Sequence, residues 1–495
     1  MDTLQKILNV SQIRKADEYT ITKKRITSLA LMEAASLAFT KAIEPLLKPT
    51  QKIAVVGGVG NNGGDGFAIA RILRTKGFHV QPFLVQLKET LAPDCNRNFK
   101  KLDDSIVIKS VSDIPDFSAY DIIIDAIFGS GLSKPITGFT QEVIKKMNEA
   151  NKIVYAVDIP SGLYCDAVSD ADTIVKADLT ISFQRPKRSF FFPEHGNFVK
   201  NWKTVDIGLD ETFIQQQESN HYLLDKRIVE VLVPRPRQSH KGSYGHALII
   251  AGSYGKIGAV VLSSRACLRS GVGLLTTYVP KCGYQIIQSS VPEAMCVTDE
   301  HEEFVTQLPE ISKYDALGIG PGLHTDKKTV EVVKKLLSES KHPLVIDADA
   351  INILAQHKEL IALLPKNSML TPHIKEFDRL VGNSNTSKER FQKQLLFSKK
   401  HQCIVVLKNA YTTISSVEGN LYFNTSGNQG MATGGSGDVL TGIITGLLAQ
   451  GYSPLYAALL GVFFHGKAGD KAACKKGYNA LIASDIIDAL RIEKS

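Results

Sequence analysis

Between Thr433 and Gly442 the chain reads TGGSGDVLTG, with four glycines inside nine residues. Val439, Leu440, Ile443, Ile444, Leu447 and Leu448 follow at helical spacing, which predicts a helix starting near Ser436 or Gly437. Glycines let the backbone approach a ligand closely, and the free N–H groups of a first helical turn attract an anion. Asp438 falls in that turn, where the helix dipole favours its ionised form. A phosphate cradle beside a carboxylate base is an arrangement for phosphoryl transfer. Asp438 could also serve only as an N-terminal cap, but a cap needs none of the four glycines.

A second glycine-rich stretch lies in the first half. The apolar run Ile53–Val56 leads into Gly57-Gly58-Val59-Gly60-Asn61-Asn62-Gly63-Gly64-Asp65-Gly66. Gly58-x-Gly60-x-x-Gly63 has the form of the dinucleotide fingerprint, although the acid expected to close the second strand is represented only by Glu89. The inserted Asn-Asn-Gly-Gly-Asp adds two amides and a carboxylate, a set suited to polar recognition or to a hard cation. Two later apolar runs also end in carboxylates. Ile122–Ile124 ends in Asp125, followed by a glycine turn at Gly129-Ser130-Gly131, and Ile153–Val157 ends in Asp158, followed by Ile159-Pro160-Ser161-Gly162. Open α/β sheets bind ligands at the carboxyl ends of their strands. Asp65, Asp125 and Asp158 are therefore expected to converge on one sheet edge, and three such aspartates point to a site.

These residues require a frame of alternating strands and helices. A helical segment is expected over roughly Ser11–Leu47, then a strand at Ile53–Val56, a helix at Asp65–Lys76, and strands at Val80–Val85, Asp121–Ala126, Ile153–Val157 and Leu179–Phe183. Periodicity is lost over Ile207–Gln217, and the domain boundary is placed between about Gln215 and Leu232. Strands are expected again at Ala247–Ala251, Leu274–Val279, Ala316–Ile319, Leu344–Ile346, Met369–Leu370 and Ile404–Leu407. Tyr411–Ser415 and Asn420–Phe423 have the pattern of an appended antiparallel hairpin turning at Glu418-Gly419-Asn420. The alternation implies α/β architecture with mostly parallel sheets covered on both faces.

The 495 residues exceed one ordinary domain, and 43% apolar residues suffice to fill large cores. The net charge of +8 is mild and interspersed. It gives no sign of nucleic-acid binding and suits a phosphate-bearing substrate. Seven scattered cysteines without a CxxC fit a reduced, cytoplasmic setting. The N-terminus lacks a signal-peptide pattern. The apolar region Ile443–Phe464 is interrupted by Gln450, Gly451 and Pro454, so two core helices are expected rather than a membrane span. Trp202 and the scattered methionines are assigned to the core. No nucleic-acid or membrane partner is expected, and a homo-oligomer is.

In combination the motifs resemble a known family. GGVGNNGGDG, DAIFGSGL and VDIPSGL resemble the epimerase domain that repairs hydrated nicotinamide dinucleotides. GSYGKIGA, GIGPGL, VIDADAIN, TPH, KNAYT and GGSGDVLTG resemble the nucleotide-dependent NAD(P)H-hydrate dehydratase, a ribokinase-like domain. The resemblance covers nearly the whole chain, in the order of the fused bacterial repair enzyme. It implies a Rossmann-like three-layer αβα domain over about residues 1–220 and a ribokinase-like domain over about 225–495. The implied activity is that of a multifunctional isomerase and lyase acting on hydrated NADH and NADPH. The first domain would interconvert R and S hydrates, and the second would dehydrate the S hydrate using ADP or ATP.

The resemblance also implies roles for residues. Asn61, Asn62, Gly63, Gly64 and Asp65 match contacts to the hydrated dinucleotide, Gly129, Ser130, Gly131, Leu132, Ser133, Lys134 and Pro135 its phosphate loop, and Asp158 a further substrate contact. Asn62, Asp125 and Ser161 match ligands of a potassium ion (K+). Asp125 and Asp158 are the catalytic candidates, and Asp125 could be base, cation ligand or both. In the second domain Ala259, Gly322, His373 and Asp438 match hydrate-contacting positions. Lys408, Asn409, Ala410, Tyr411, Thr412 and Gly437 match nucleotide-contacting ones, with Mg2+ accompanying ADP or ATP. Asp438 would activate the ring hydroxyl for phosphorylation, after which phosphate departs and the ring double bond re-forms. Two positions depart from the family pattern. Lys375 stands where TPHxGE has glycine, and Asn409 where glycine is commoner, so a left-handed backbone there would fall to a lysine and to an asparagine that tolerates it. The alternative reading is a ribokinase-like small-molecule kinase fused to a dinucleotide-binding domain, whose phosphorylated product would be stable.

Overall fold

The computed structural model describes residues 4–169 and 173–494. The chain divides into two compact units. One is built from Lys6–Ser219 with Thr386–Lys388, the other from Asn220–Asn385 and Glu389–Ser495 with the segment ending at Gln5.

The short strand β1 (Gln5–Lys6) belongs to the second sheet. The first unit holds seven strands: β2 (Lys52–Gly57), β3 (His79–Val85), β4 (Ile106–Ile108), β5 (Ile122–Ala126), β6 (Ile153–Val157), β7 (Leu179–Phe183) and β8 (Trp202–Val205). Their spatial order is β4-β3-β2-β5-β6-β7-β8 and every pairing is parallel. Both faces are buried. Ile53 and Val55 pack with Phe67, Ile69 and Leu73 of the helix Asn61–Thr75, while Ala54 and Val56 pack with Val143, Ile144 and Met147 of the helix Phe139–Glu149. Strand order reverses direction between β2 and β5, and a crevice at that point is where doubly wound sheets place ligands.

The expected strands at Ile153–Val157 and Leu179–Phe183 are present with those bounds. Three expectations are corrected. The helix expected from Asp65 begins at Asn61, so the Asn-Asn-Gly-Gly-Asp insert is its first turn rather than a loop. The N-terminal helical segment is two helices, Val10–Lys24 and Ser28–Ile43, parted where Arg25 takes φ 53°. Trp202, assigned to the core, is half-buried on the edge strand β8, edge-on to Phe191.

The second sheet adds β9 (His221–Leu224), β10 (His246–Ile250), β11 (Leu274–Val279), β12 (Met295–Thr298), β13 (Ala316–Ile319), β14 (Leu344–Ile346), β15 (Met369–Leu370), β16 (Ile404–Leu407), β17 (Thr413–Ser415) and β18 (Leu421–Asn424). Their order is β1-β9-β18-β17-β16-β15-β14-β13-β10-β11-β12. Pairings from β12 to β16 are parallel, and β16, β17 and β18 pair antiparallel. The expected hairpin turns at Gly419, whose φ of 87° requires glycine. The apolar region Ile443–Phe464 is two helices, Ser436–Ala449 and Pro454–Lys476. Among the described residues no single helix is long and apolar enough to cross a membrane. In Ser436–Ala449 every residue is buried except Gly437 and Asp438. The whole helix is core, apart from the two positions suited to chemistry.

Candidate active sites

In the first unit, the carboxyl end of β2 runs through Gly58 into a helix whose N-cap, Gly60, offers no side-chain cap. The first-turn N–H groups are thus left to a ligand or to water. None of the glycines from Gly57 to Gly66 has positive φ. They are glycine because segments touch: a β-carbon on Gly63 would lie 1.8 Å from Gly58 O, and one on Gly58 would lie 2.2 Å from Ile127 O. The same closeness joins the second loop, since a β-carbon on Gly129 would lie 3.0 Å from Asn62 Cβ. Asn61 is exposed, Asn62 and Asp65 are half-buried, and Gly63 and Gly64 are buried. Asn62 Nδ2 is buried without a hydrogen-bond partner. From Gly129 to Pro135 the loop is exposed or half-buried.

Asp125 is fully buried beneath this edge. Its Oδ1 accepts from Ser161 Oγ at 2.6 Å and its Oδ2 from Ser161 N at 2.7 Å. Ser161 Oγ in turn accepts from Phe128 N at 2.8 Å. Burial dominates over these hydrogen bonds and pushes the carboxyl up to about 6. Asp158 is engaged differently. It takes φ 67°, and its Oδ1 lies 2.7 Å from Nζ of the fully buried Lys187. A non-glycine residue in that backbone region is a local strain held by its surroundings. Burial works to lower the Lys187 ammonium, but the charge and hydrogen bond of Asp158 together with Cys165 and Asp17 outweigh it, so the lysine is held above its ordinary range. Asp65 is pushed well up by burial and by Asp158, and Asp17, on the helix Val10–Lys24, is raised to about 7 by burial and the same neighbour. Asp65 and Asp158 are brought together, with Asp17 and Lys187 added, while the contacts of Asp125 are with Ser161 and the Ile127 amide. A lysine in QRPKR and an aspartate in an N-terminal helix carry no local signal of a site; only tertiary contact places them there.

In the second unit the helix Ser436–Ala449 begins where expected. Its N-cap Gly435 sits at φ 86° and no side chain caps the turn. Lys408, at the end of β16, lies under this turn: a β-carbon on Gly437 would lie 3.1 Å from Lys408 Nζ. Lys408 Nζ is 2.9 Å from Oδ1 of Asp347, which is almost fully buried at the end of β14, and Asp347 Oδ2 accepts from Thr441 Oγ1 at 2.7 Å. Burial works to lower the Lys408 ammonium, yet Asp347, Glu376 and Asp438 hold it above its ordinary range. Asp438 is raised to about 7 by burial and by Asp347, with Lys408 opposing and Asp349 adding. Asp349 accepts from Lys256 Nζ at 3.3 Å. Lys256 in turn adjoins Gly322, where φ is 60° and a β-carbon would meet Lys256 O at 2.9 Å and Ala259 Cβ at 3.3 Å. Ala259, Gly322, Lys408, Gly437 and Asp438 are thus brought to one place, and Asn409–Thr412 form the connection from β16 to β17.

His373 pairs with Lys408 in an isolated parallel bridge and caps the helix Ile374–Val381. Its Nδ1 accepts from Glu376 N at 3.3 Å and its own N–H donates to Glu376 Oε2 at 2.8 Å. Burial, Lys408 and Arg379 depress its imidazole. Lys375 lies inside that helix, and neither Lys375 nor Asn409 has positive φ. Neither departure from the glycine pattern places a side chain in a left-handed backbone. Asp347, Thr441 and His465 are the polar groups that sequence reading missed. His465 Nε2 lies 3.3 Å from Ser436 Oγ, and burial pushes the imidazole down to about 4. Asp347 lies in VIDADAIN and Thr441 in GGSGDVLTG, whereas no motif holds His465.

Comparison with known proteins follows this division. The family model described as NAD(P)H-hydrate dehydratase matches residues 247–491, and that of the YjeF-related protein N-terminus matches 28–189. The bifunctional NAD(P)H-hydrate repair enzyme Nnr of Moorella thermoacetica is 34% identical, covering 98% of this chain and 96% of its own. The enzyme of the same name from Coxiella burnetii is also 34% identical, over 97% and 98%. Among solved structures, the ADP/ATP-dependent NAD(P)H-hydrate dehydratase of Bacillus subtilis, co-crystallised with ATP and Mg2+, is 29% identical with a TM-score of 0.47, covering 54% of this chain and 95% of that one. With a doubly wound αβα unit followed by a second α/β unit that matches the NAD(P)H-hydrate dehydratase model, and a third of its residues shared end to end with such proteins, the chain belongs to the family of bifunctional NAD(P)H-hydrate repair enzymes.

Proposed function

We infer that the two sites divide the family's repair activity between them. The N-terminal unit interconverts the R and S epimers of hydrated NADH and NADPH. The C-terminal unit dehydrates the S hydrate at the expense of ADP or ATP. The observation that carries this reading is the pair of carboxylates Asp125 and Asp438. Asp438 lies in an uncapped, glycine-led helix N-terminus and Asp125 closes a strand on Ser161, each is held near neutrality by burial, and they belong to different units. A carboxylate with a value near the working pH can both take and return a proton.

In the N-terminal unit the exposed loop Gly129–Pro135 and the first turn Asn61–Asp65 would bind the phosphates and ring of the hydrate. Epimerisation requires that the ring hydroxyl leave and return, or that the ring open and close. Asp125 would move that proton, and Asp158, paired to Lys187, would orient the ring. Asn62, Asp125 and Ser161 offer oxygen donors from three segments, which suits a hard monovalent cation. Potassium held there would supply a fixed positive charge beside the reacting oxygen and keep the Asp125 carboxyl ionised.

In the C-terminal unit Gly437 and Lys408 would receive the nucleotide phosphates, with Mg2+ bound to the nucleotide itself. Asp438 would take the proton of the ring hydroxyl as its oxygen forms a bond to the terminal phosphoryl group. The bond to the departing nucleotide breaks, and phosphate then leaves the ring carbon with loss of a neighbouring proton, restoring the double bond. Asp347 would act through Lys408, holding the ammonium where the phosphates arrive. Ala259, Gly322 and His373 would line the ring side. A cytoplasmic homo-oligomer is proposed as the working form, the former supported by seven unpaired thiols.

The test is chromatography of a mixed R and S hydrate pool with and without ADP or ATP. Asp125→Ala is expected to clear the S epimer and leave most of the R epimer. Asp438→Asn is expected to equilibrate epimers while regenerating almost no reduced cofactor, and a mixture of the two variants is expected to clear everything. Consumption of both epimers by Asp125→Ala at the wild-type rate would remove the epimerase from the N-terminal unit.

A further inference from the structure

The helix Val10–Lys24 precedes the segment matched by the family model, which begins at residue 28. It is nonetheless tied to its unit along its length. Val10 N donates to Asp166 Oδ2 at 3.0 Å, Thr20 Oγ1 accepts from Asp210 N at 2.9 Å, and Lys23 pairs with Asp210 at 2.8 Å. One turn apart on this helix stand Arg14 and Asp17, positions that share a face. Asp17 feels the charges of Asp158 and Lys187. Arg14 reaches the other loop: a β-carbon on Gly131 would meet its Nη2 at 2.9 Å.

We propose that Arg14 is a ligand for the diphosphate of the dinucleotide hydrate, clamping it against the loop Gly129–Pro135. This rests on reading the N-terminal site as the epimerase. Three observations support it. Arg14 is exposed, and among the described residues no carboxylate lies within ion-pair distance of its guanidinium, whereas Arg71, Arg74, Arg97 and Arg185 of the same unit each have one. The inner part of the site holds Asp17, Asp65 and Asp158 and a single ammonium, that of Lys187, which Asp158 already engages, so it offers a diphosphate no free cation. At the outer loop stand Lys134 of the loop itself and Arg14 reaching it from the helix, which sets the polarity of binding: reacting ring inward, diphosphate outward. A guanidinium is a planar fork of donors matched to two phosphate oxygens, and Gly131 leaves room for it to lie on the loop backbone.

The experiment uses the full chain and its Arg14→Ala and Arg14→Lys variants. Epimerisation is followed with the hydrate of NADH and with the hydrate of reduced nicotinamide mononucleotide, which lacks the diphosphate. Arg14→Ala is expected to raise KM for the NADH hydrate by about 10- to 100-fold, the scale of a lost charge-assisted contact, with kcat within about threefold of wild type. Arg14→Lys should fall between, since it keeps the charge and loses the fork. The mononucleotide hydrate should show little change in KM. A retained kcat shows that the fold of the site survives the substitution. An unchanged KM for the NADH hydrate, or an equal rise for both substrates, overturns the proposal. If the wild-type chain itself fails to speed epimerisation of either hydrate, the reading of the site fails first and takes the proposal with it.

Discussion

Asp438→Asn removes one ionisation from the C-terminal site while keeping the shape of the side chain. In the fold the carboxyl is raised from 3.8 to about 7, first by burial and then by Asp347. The sign follows from linkage: a carboxyl raised in the native state binds its proton more tightly there than in the unfolded chain. Its contribution to stability is complete below the unfolded value near 4 and is lost as pH rises through about 7. Three pK units at about 1.36 kcal/mol each set a ceiling of about 4 kcal/mol. Asp438 keeps partial access to water, so about 1–2 kcal/mol is expected. Asparagine carries no charge to desolvate. Without nucleotide the variant should match wild type at pH 4 and exceed it at pH 8, by roughly 2–8 °C in Tm for a domain of this size. Its activity should move oppositely. Wild-type kcat/KM for dehydration should rise tenfold per pH unit and level off above about 7. The variant should be lower by about 10²–10⁴ and lack that limb. Scanning calorimetry at the two pH values and a pH–rate profile read the two effects. A stability difference equal at pH 4 and pH 8, or a wild-type profile flat between pH 5 and 8, would refute the reasoning.

Gly437→Val would bring a β-carbon to 3.1 Å from Lys408 Nζ with further methyl groups beyond it, so ADP and ATP affinity should collapse in calorimetric titration while the protein stays folded. Gly63→Ala would place a methyl 1.8 Å from Gly58 O, where backbone must move. We expect a loss of about 1–3 kcal/mol from the N-terminal unit and of epimerisation, with nucleotide-dependent clearance of the S hydrate retained. Replacing potassium with a bulky organic cation should slow epimerisation and leave dehydration largely intact, and full epimerase activity in rigorously potassium-free buffer would count against the cation site.

Much of the frame was legible because its signals are local. Ile153–Val157 and Leu344–Ile346 are short apolar runs each closed by an aspartate, and both are strands with those bounds. The helix after Gly435 starts where apolar periodicity and the glycine turn require. Asp125, Asp158 and Asp438 could be singled out since each directly ends a strand or opens a helix. The same local logic misplaced the start of Asn61–Thr75. Asn-Asn-Gly-Gly has poor intrinsic helix propensity, and the first turn forms because Gly58 and Gly63 pack backbone on backbone, a contact invisible in the sequence.

What each carboxylate can do was decided by tertiary structure. By sequence Asp125 and Asp158 are alike, both closing a β-strand. In the fold one is fully buried on a serine hydroxyl and amide and sits near neutrality, and the other is neutralised by Lys187, contributed from beyond the next strand. Asp438 owes its raised value to burial and to Asp347, which is 91 residues away along the chain and beside it through Lys408. Residue type and spacing determine which groups reach a strand end or a helix start. Desolvation and the sign of the nearest charge determine their protonation, and both depend on groups distant in sequence that only packing of the whole chain brings together.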